Sequence, residues 1–221
     1  MCIRDRTLPL QLDQGRSDLE LRMADQPLTA YEEGTASLLE EVGLPVDHAN
    51  SALRLLGAVG SRYSRDLKLN LKAVLKSAHL SEKEAALLAL SVSANQKNGA
   101  LIDHFKAMAL TQGASDEETA EAVACASLLA ANNVLYRFRP FSAKEKYNEM
   151  RPSLRMTLMM NPATGKHLFE LMSLAVSAVN GCEQCVKSHE SSLIALGAPE
   201  EQVWDAIRIA SVVASYDRIA Y

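Results

Sequence analysis

The chain has 221 residues, of which 48% are hydrophobic, 23% charged and 5% aromatic. That balance suits a folded core and excludes an intrinsically disordered chain, while seven Pro and ten Gly exclude a collagen-like or linker-dominated one. A net charge of −4 excludes a basic nucleic-acid footprint, and four unevenly spaced cysteines exclude a disulfide scaffold.

The opening hexapeptide, MCIRDR, reads as a translated sequencing adapter. Residues 1–22 are therefore expected to be artefact in whole or part, with Met23 the candidate start and Cys2 outside the chemistry. The leader lacks the apolar middle of a signal peptide, and no apolar run approaches the roughly 18–20 residues that span a bilayer. The expectation is a cytoplasmic protein with no membrane and no nucleic-acid partner.

Residues 1–46 read as leader and flexible N-terminal segment, with one helix over 30–42. Asp47 is placed to cap a helix through Leu53 and Leu56. Leu67, Leu69 and Leu71 alternate briefly before Val74 and Leu75 resume helical spacing. Ser81 with Glu84, and Ser115 with Glu118, form capping boxes that each open an apolar helix. The charged stretch Phe138–Arg155, with Pro140 and Pro152, predicts irregular structure plus a short helix. Ala and Leu dominate, and no segment shows the β-branched alternation of a strand, so the fold is predicted to be all-α.

The chain also resembles itself at an offset of 84 residues. SVSAN at 91–95 falls on AVSAV at 175–179, and Gly113 with its following acids falls on Gly197 with Glu200 and Glu201. Both glycines suit the left-handed position just past a helix end. Two helical repeats follow: 47–140, without active cysteines, and 141–221, a connector and second repeat.

That second repeat contains FELMSLAVSAVNGCEQCVKSHE, residues 169–190. Cys182, Cys185 and His189 share one helical face, and Asn180-Gly181 predicts a break that puts Cys182 at a helix N-terminus. Free N–H groups and the helix dipole there favour a thiolate. Glu170 is the one acid in an otherwise apolar helix, so it needs a polar partner or a rim position. The offset pairs Glu170, Cys182 and Cys185 with Ala86, Asn98 and Leu101, so only one copy carries these groups. A redox-active dithiol accounts for the spacing, the helix start and the adjacent His. A metal site would need further ligands that only Glu170 or a distant His could supply. Inert core cysteines are the remaining reading.

NGCEQCVKSHE with its upstream FELMSLAVSA resembles the alkylhydroperoxidase D family, within the carboxymuconolactone decarboxylase-like fold. RDLKLNL at 65–71, NNVLYRFR at 132–139 and RPSLRMTLMMNP at 151–162 carry the likeness across most of the chain. The resemblance implies a duplicated all-α homotrimer and a proton relay of Glu170, Cys182, Cys185 and His189. It departs at Gln184, where the family's well-studied form has a His before the second cysteine. The implied activity is reduction of organic hydroperoxides through a Cys182–Cys185 dithiol. The dihydrolipoyl group of a partner protein would restore that dithiol, and a partner peroxiredoxin would be an alternative oxidant. No metal or bound cofactor is expected. The rivals are a carboxymuconolactone decarboxylase, which shares the fold without needing the cysteine pair, and a thiol–disulfide adaptor without peroxide turnover.

Other polar candidates are weaker. Cys125 reads as a small core residue and His104 as structural or exposed. His48, His79 and His167 have no constellation, and Trp204 is expected in the core or at a subunit contact. Tyr136, Arg137 and Arg139 read as site wall, subunit interface or plain structure.

Overall fold

The computed structural model describes residues 30–221, so the leader, Met23 and Cys2 lie outside the described residues. Among these residues the chain forms ten α-helices, two short 3-10 turns and no strand. Helices α1 (Ala30–Glu40), α2 (Ser51–Ala58) and α3 (Arg62–Leu75) come first. The first repeat is α4 (Glu82–Gln96), α5 (Gly99–Thr111) and α6 (Asp116–Ser142). A connector follows with α7 (Glu145–Glu149) and a 3-10 turn at Thr157–Met159. The second repeat is α8 (Lys166–Val179), α9 (Glu183–Ala195) and α10 (Glu200–Asp217).

The helices α8, α9 and α10 each begin 84 residues after α4, α5 and α6. The turns match as well. Gly113 and Gly197 both adopt φ +85°. In each, the next residue, Ala114 or Ala198, donates its N–H back to the carbonyl of Ala109 or Leu193. These are Schellman closures, which need a left-handed residue and here find glycine. The turn before α5 and α9 repeats the closure with Lys97 (φ 64°) and Gly181 (φ 68°).

The repeats embrace through their first helices. Every residue of α4 from Ala85 to Ser93, and of α8 from Leu168 to Ser177, is buried. A helix apolar on all sides belongs at the centre of a bundle. Helices α4 and α8 pack on each other, and each is covered by its own third helix and by the third helix of the other repeat. Each fully buried Leu in this pair, such as Leu87 or Leu171, contributes about 1.5–3 kcal/mol of apolar burial.

Three local expectations change. Asn50, not Asp47, caps α2, its side chain accepting from the Leu53 N–H, while Asp47 sits in a separate 3-10 turn. Leu67 and Leu71 are buried and Leu69 is exposed, as one face of helix α3 requires. Phe138–Ser142 is not irregular but continues α6 through Pro140. Pro140 stands in the final turn, where a lost intrahelical bond costs little, and Ala143 then ends the helix in a left-handed conformation. No helix of the described residues is long and apolar enough to cross a membrane.

The C-terminal residues tuck against the start of α2 and the first repeat. Asn50 Nδ2 donates to the Ile219 carbonyl at 2.7 Å and Asn98 Nδ2 to the Ala220 carbonyl at 2.6 Å. Asp217 is buried beside them, with no hydrogen-bond partner for either carboxylate oxygen among the described residues. Burial pushes its carboxyl up to about 7, against the opposing pull of the Asn98 amide and the Arg218 guanidinium. A carboxyl raised on folding binds a proton more tightly in the native state, so it costs stability as pH climbs from its unfolded value toward 7 and beyond. Asp217→Asn is therefore expected to stabilise the fold at pH 8 by roughly 2–4 kcal/mol, with the gain vanishing near pH 4. Urea unfolding at both pH values measures this, and a gain independent of pH would contradict it.

Candidate active site

The candidate site forms where α8 turns into α9. Glu170 lies in the first turns of α8, one turn after Lys166. Asn180 ends that helix, Gly181 turns the chain, and Cys182 becomes the N-cap of α9. Cys185 is in the first turn of α9 and His189 one turn later. All four sequence-predicted residues, Glu170, Cys182, Cys185 and His189, are buried and converge here. Cys182 and Cys185 are joined as a disulfide with Cα atoms 5.3 Å apart.

The buried acid has its partners. Glu170 Oε2 lies 2.6 Å from His189 Nδ1, and Glu170 Oε1 lies 3.0 Å from Lys166 Nζ. Burial alone would raise the Glu170 carboxyl, but the hydrogen bonds from His189 and Lys166 outweigh it and hold the carboxyl below its ordinary value. A carboxylate only accepts, so His189 carries its proton on Nδ1 and leaves Nε2 as the basic nitrogen.

The duplicated scaffold explains the odd pairing of Cys182 with Asn98. Both are helix N-caps. Asn98 Oδ1 accepts from the Leu101 N–H at 3.2 Å, as Asn does well at this position. Cys182 makes no side-chain cap bond, so α9 gives up that cap. The N–H of Cys185, equivalent to that of Leu101, remains available to a negative sulfur.

A pocket of about 200 Å³ opens onto Cys185 and His189 but not onto Cys182, which is fully buried. Gln184 and Ser188 line it from α9, Leu129, Asn132 and Tyr136 from α6, and Met156 and Met159 from the connector. The run NNVLYRFR thus divides its work. Asn132 and Tyr136 face the pocket. Asn133 Oδ1 accepts from Asn180 Nδ2 at 2.8 Å, and Arg137 Nη1 donates to the Asn180 carbonyl at 2.7 Å. These two bonds fix the residue that leads into Gly181 and Cys182. Arg139 stacks 5.0 Å over the Tyr136 ring and donates to the Met150 carbonyl.

Sequence reasoning missed Asn132, Met156 and Met159, and also Glu121. The buried Glu121 carboxylate accepts from the backbone N–H of Ala163 and of Thr164, each at 2.7 Å, and from the Thr164 hydroxyl. It ties the end of the connector to α6. An acid inside the Ala-rich face of α6 was the available signal.

Other candidates lie elsewhere. Cys125 is buried, 3.6 Å from the Ser173 hydroxyl, and burial pushes its thiol up to about 12. His104 is partly buried against Phe105, and burial lowers its pKa. Trp204 is 65% exposed and is not a core residue. His79 does join a constellation: its Nδ1 lies 3.0 Å from Asp205 Oδ2, which also accepts from Ser77, while Arg208 pairs with Oδ1.

Comparison with known proteins gives the family. The alkyl hydroperoxide reductase AhpD of Anaeromyxobacter dehalogenans strain 2CP-C is 44% identical over 153 residues, spanning 68% of this chain and 80% of its own. The chain belongs to the alkyl hydroperoxide reductase AhpD family. The AhpD of Coxiella burnetii strain Dugway 5J108-111 is 39% identical over 155 residues, spanning 68% of this chain and 86% of its own. The broader carboxymuconolactone decarboxylase family model matches residues 146–221. In this AhpD-family chain, that span holds most of the connector, Glu170, both cysteines and His189. The fold is shared with a Burkholderia xenovorans crystal structure described as a gamma-carboxymuconolactone decarboxylase subunit, at TM-score 0.60 and 18% identity, over 88% of this chain and 94% of that one.

Removing the Glu121 clamp leaves the N–H groups of Ala163 and Thr164 without their acceptor. Glu121→Ala is expected to destabilise the fold by about 1–3 kcal/mol. Hydrogen exchange should quicken most at Ala163 and Thr164, and protection equal to that of the parent chain would contradict the clamp.

Proposed function

We propose that this AhpD-family chain is a thiol peroxidase that reduces organic hydroperoxides with the Cys182–Cys185 dithiol. The observation that carries the reading is the site's asymmetry: Cys185 and His189 line the pocket, while Cys182 is sealed behind them, bonded to Cys185. One sulfur meets the substrate and the other resolves the product.

In the reduced protein, His189 Nε2 takes the Cys185 thiol proton, and Glu170 stabilises the resulting imidazolium through Nδ1. The N-terminal N–H groups of α9 favour the thiolate. The thiolate attacks the terminal peroxide oxygen, the O–O bond breaks, and Cys185 becomes a sulfenic acid. The His189 imidazolium, which lines the pocket, gives its proton to the departing alkoxide; Cys182 then attacks the sulfenic sulfur from behind, and its own thiol proton leaves with the hydroxyl as water. The disulfide is the product. Gln184 offers an amide beside Cys185 that hydrogen-bonds but does not titrate, so His189 alone carries the mobile proton in this chain.

Reduction requires two exchange steps: attack on the pocket-facing Cys185 sulfur, then resolution of the mixed disulfide. A dithiol on a flexible arm does both in one encounter, which favours a lipoyl-bearing donor. A partner peroxiredoxin would be served by the same dithiol in exchange. The homotrimer that the family resemblance implies has candidate contacts in Phe141 and Met160, each more than four-fifths exposed. A cytoplasmic setting, which keeps thiols reduced, suits this cycle. The decarboxylase alternative leaves the cysteine pair without a task.

The test is turnover of an organic hydroperoxide with dihydrolipoamide, beside a monothiol. Turnover is expected with the dithiol and should be lost, by at least about 1,000-fold, in Cys185→Ser. Full activity in that variant would overturn the mechanism. Equal turnover with the monothiol would overturn the dithiol requirement.

A further inference from the structure

Asn132 is 6% exposed and stands in the wall of the pocket that holds Cys185 and His189. Its Nδ2 donates to the Met156 thioether at 3.1 Å and lies 4.0 Å from that of Met159. A thioether is a weak acceptor, so this amide is desolvated without a proper partner. No hydrogen bond to its Oδ1 forms among the described residues. The neighbouring Asn133 makes the contrast: its Nδ2 donates to the Ser177 hydroxyl and its Oδ1 accepts from Asn180. One asparagine of the pair is consumed by structure; the other offers a donor and an acceptor to the pocket. Its surroundings, Leu129, Met156 and Met159, are apolar and deformable.

We propose that Asn132 is the substrate-binding residue that holds the hydroperoxide group in front of Cys185. The inference rests on the peroxidase reading and deepens it. The amide N–H leaves the weak sulfur acceptor and donates to the peroxide oxygen attached to carbon. Oδ1 accepts from the terminal O–H. The terminal oxygen then faces the Cys185 thiolate, and Leu129, Met156 and Met159 seat the apolar substituent. When the thiolate takes the terminal oxygen as OH, the O–O bonding pair leaves on the oxygen that Asn132 is holding. Its N–H therefore donates to a developing alkoxide, where a donor is worth more than in the bound substrate. The His189 imidazolium, which lines the same pocket, then protonates that alkoxide to the alcohol.

The experiment is rapid-mixing oxidation of the pre-reduced full chain, comparing the parent with Asn132→Leu and with Asn132→Ala, which adds no volume. Two oxidants are used: tert-butyl hydroperoxide, whose leaving alkoxide needs stabilisation, and peracetic acid, whose leaving carboxylate does not. Both variants should lose roughly 10- to 100-fold in rate with tert-butyl hydroperoxide and much less with peracetic acid. Reduction of their disulfide by dithiothreitol should match the parent, a readout that misfolding would move. A parent-like rate with tert-butyl hydroperoxide, or equal losses with both oxidants, would overturn the role of Asn132 while leaving the peroxidase reading intact. A parent chain inert to both oxidants but still reducible by dithiothreitol would overturn the peroxidase reading and the role of Asn132 with it.

Discussion

The site turns on one buried contact, the 2.6 Å hydrogen bond between His189 and Glu170. Neither group is easily buried alone: an isolated carboxylate inside α8 would pay a large desolvation cost. Together, with Lys166 closing the other carboxylate oxygen, they satisfy one another. The pairing also orients the imidazole, because the nitrogen bound to Glu170 is spent and only Nε2 is left to take a proton. In the proposed mechanism, structural necessity and chemical use coincide in the same bond. The rest of the site follows from it: Cys185 is one helical turn from His189, and Cys182 is the residue that begins the helix.

Duplication supplies the frame and a built-in comparison. Both repeats place a left-handed residue and then an N-cap between their first two helices. In the first copy the cap is Asn98, which satisfies the helix end, and the positions matching Glu170 and His189 are the apolar Ala86 and Phe105, both fully buried. The second copy trades these stabilising choices for ionisable and oxidisable ones at the same backbone positions. Stability can carry that trade because the central stretches of α4 and α8 are buried on all sides, against each other and against the other helices of both repeats.

The local part of this arrangement was legible in the sequence. Capping boxes at Ser81 and Ser115, the turn glycines and the cysteine spacing all act over a few residues, and each stands in the structure where the pattern predicts. Glu170 was legible because an acid in an apolar helix demands a partner. The pocket wall was not. Asn132 and Tyr136 are ordinary residues on a long helix, and Met156 and Met159 sit in a segment without periodicity. Their relevance comes from the packing of α6 and the connector over α9, which no spacing rule encodes. Asp47 was misread for a related reason: capping depends on where the helix starts, and Asn50 begins it. Ser77, His79, Asp205 and Arg208 likewise meet only through tertiary packing.

In the proposed mechanism the Glu170–His189 pair draws the proton from Cys185. The pH dependence of Cys185 alkylation in the reduced chain, compared between the parent and Glu170→Gln, tests it most directly. Loss of the carboxylate weakens the imidazolium, so the midpoint for thiolate formation is expected at higher pH in the variant. A midpoint unchanged, or moved to lower pH, would contradict it.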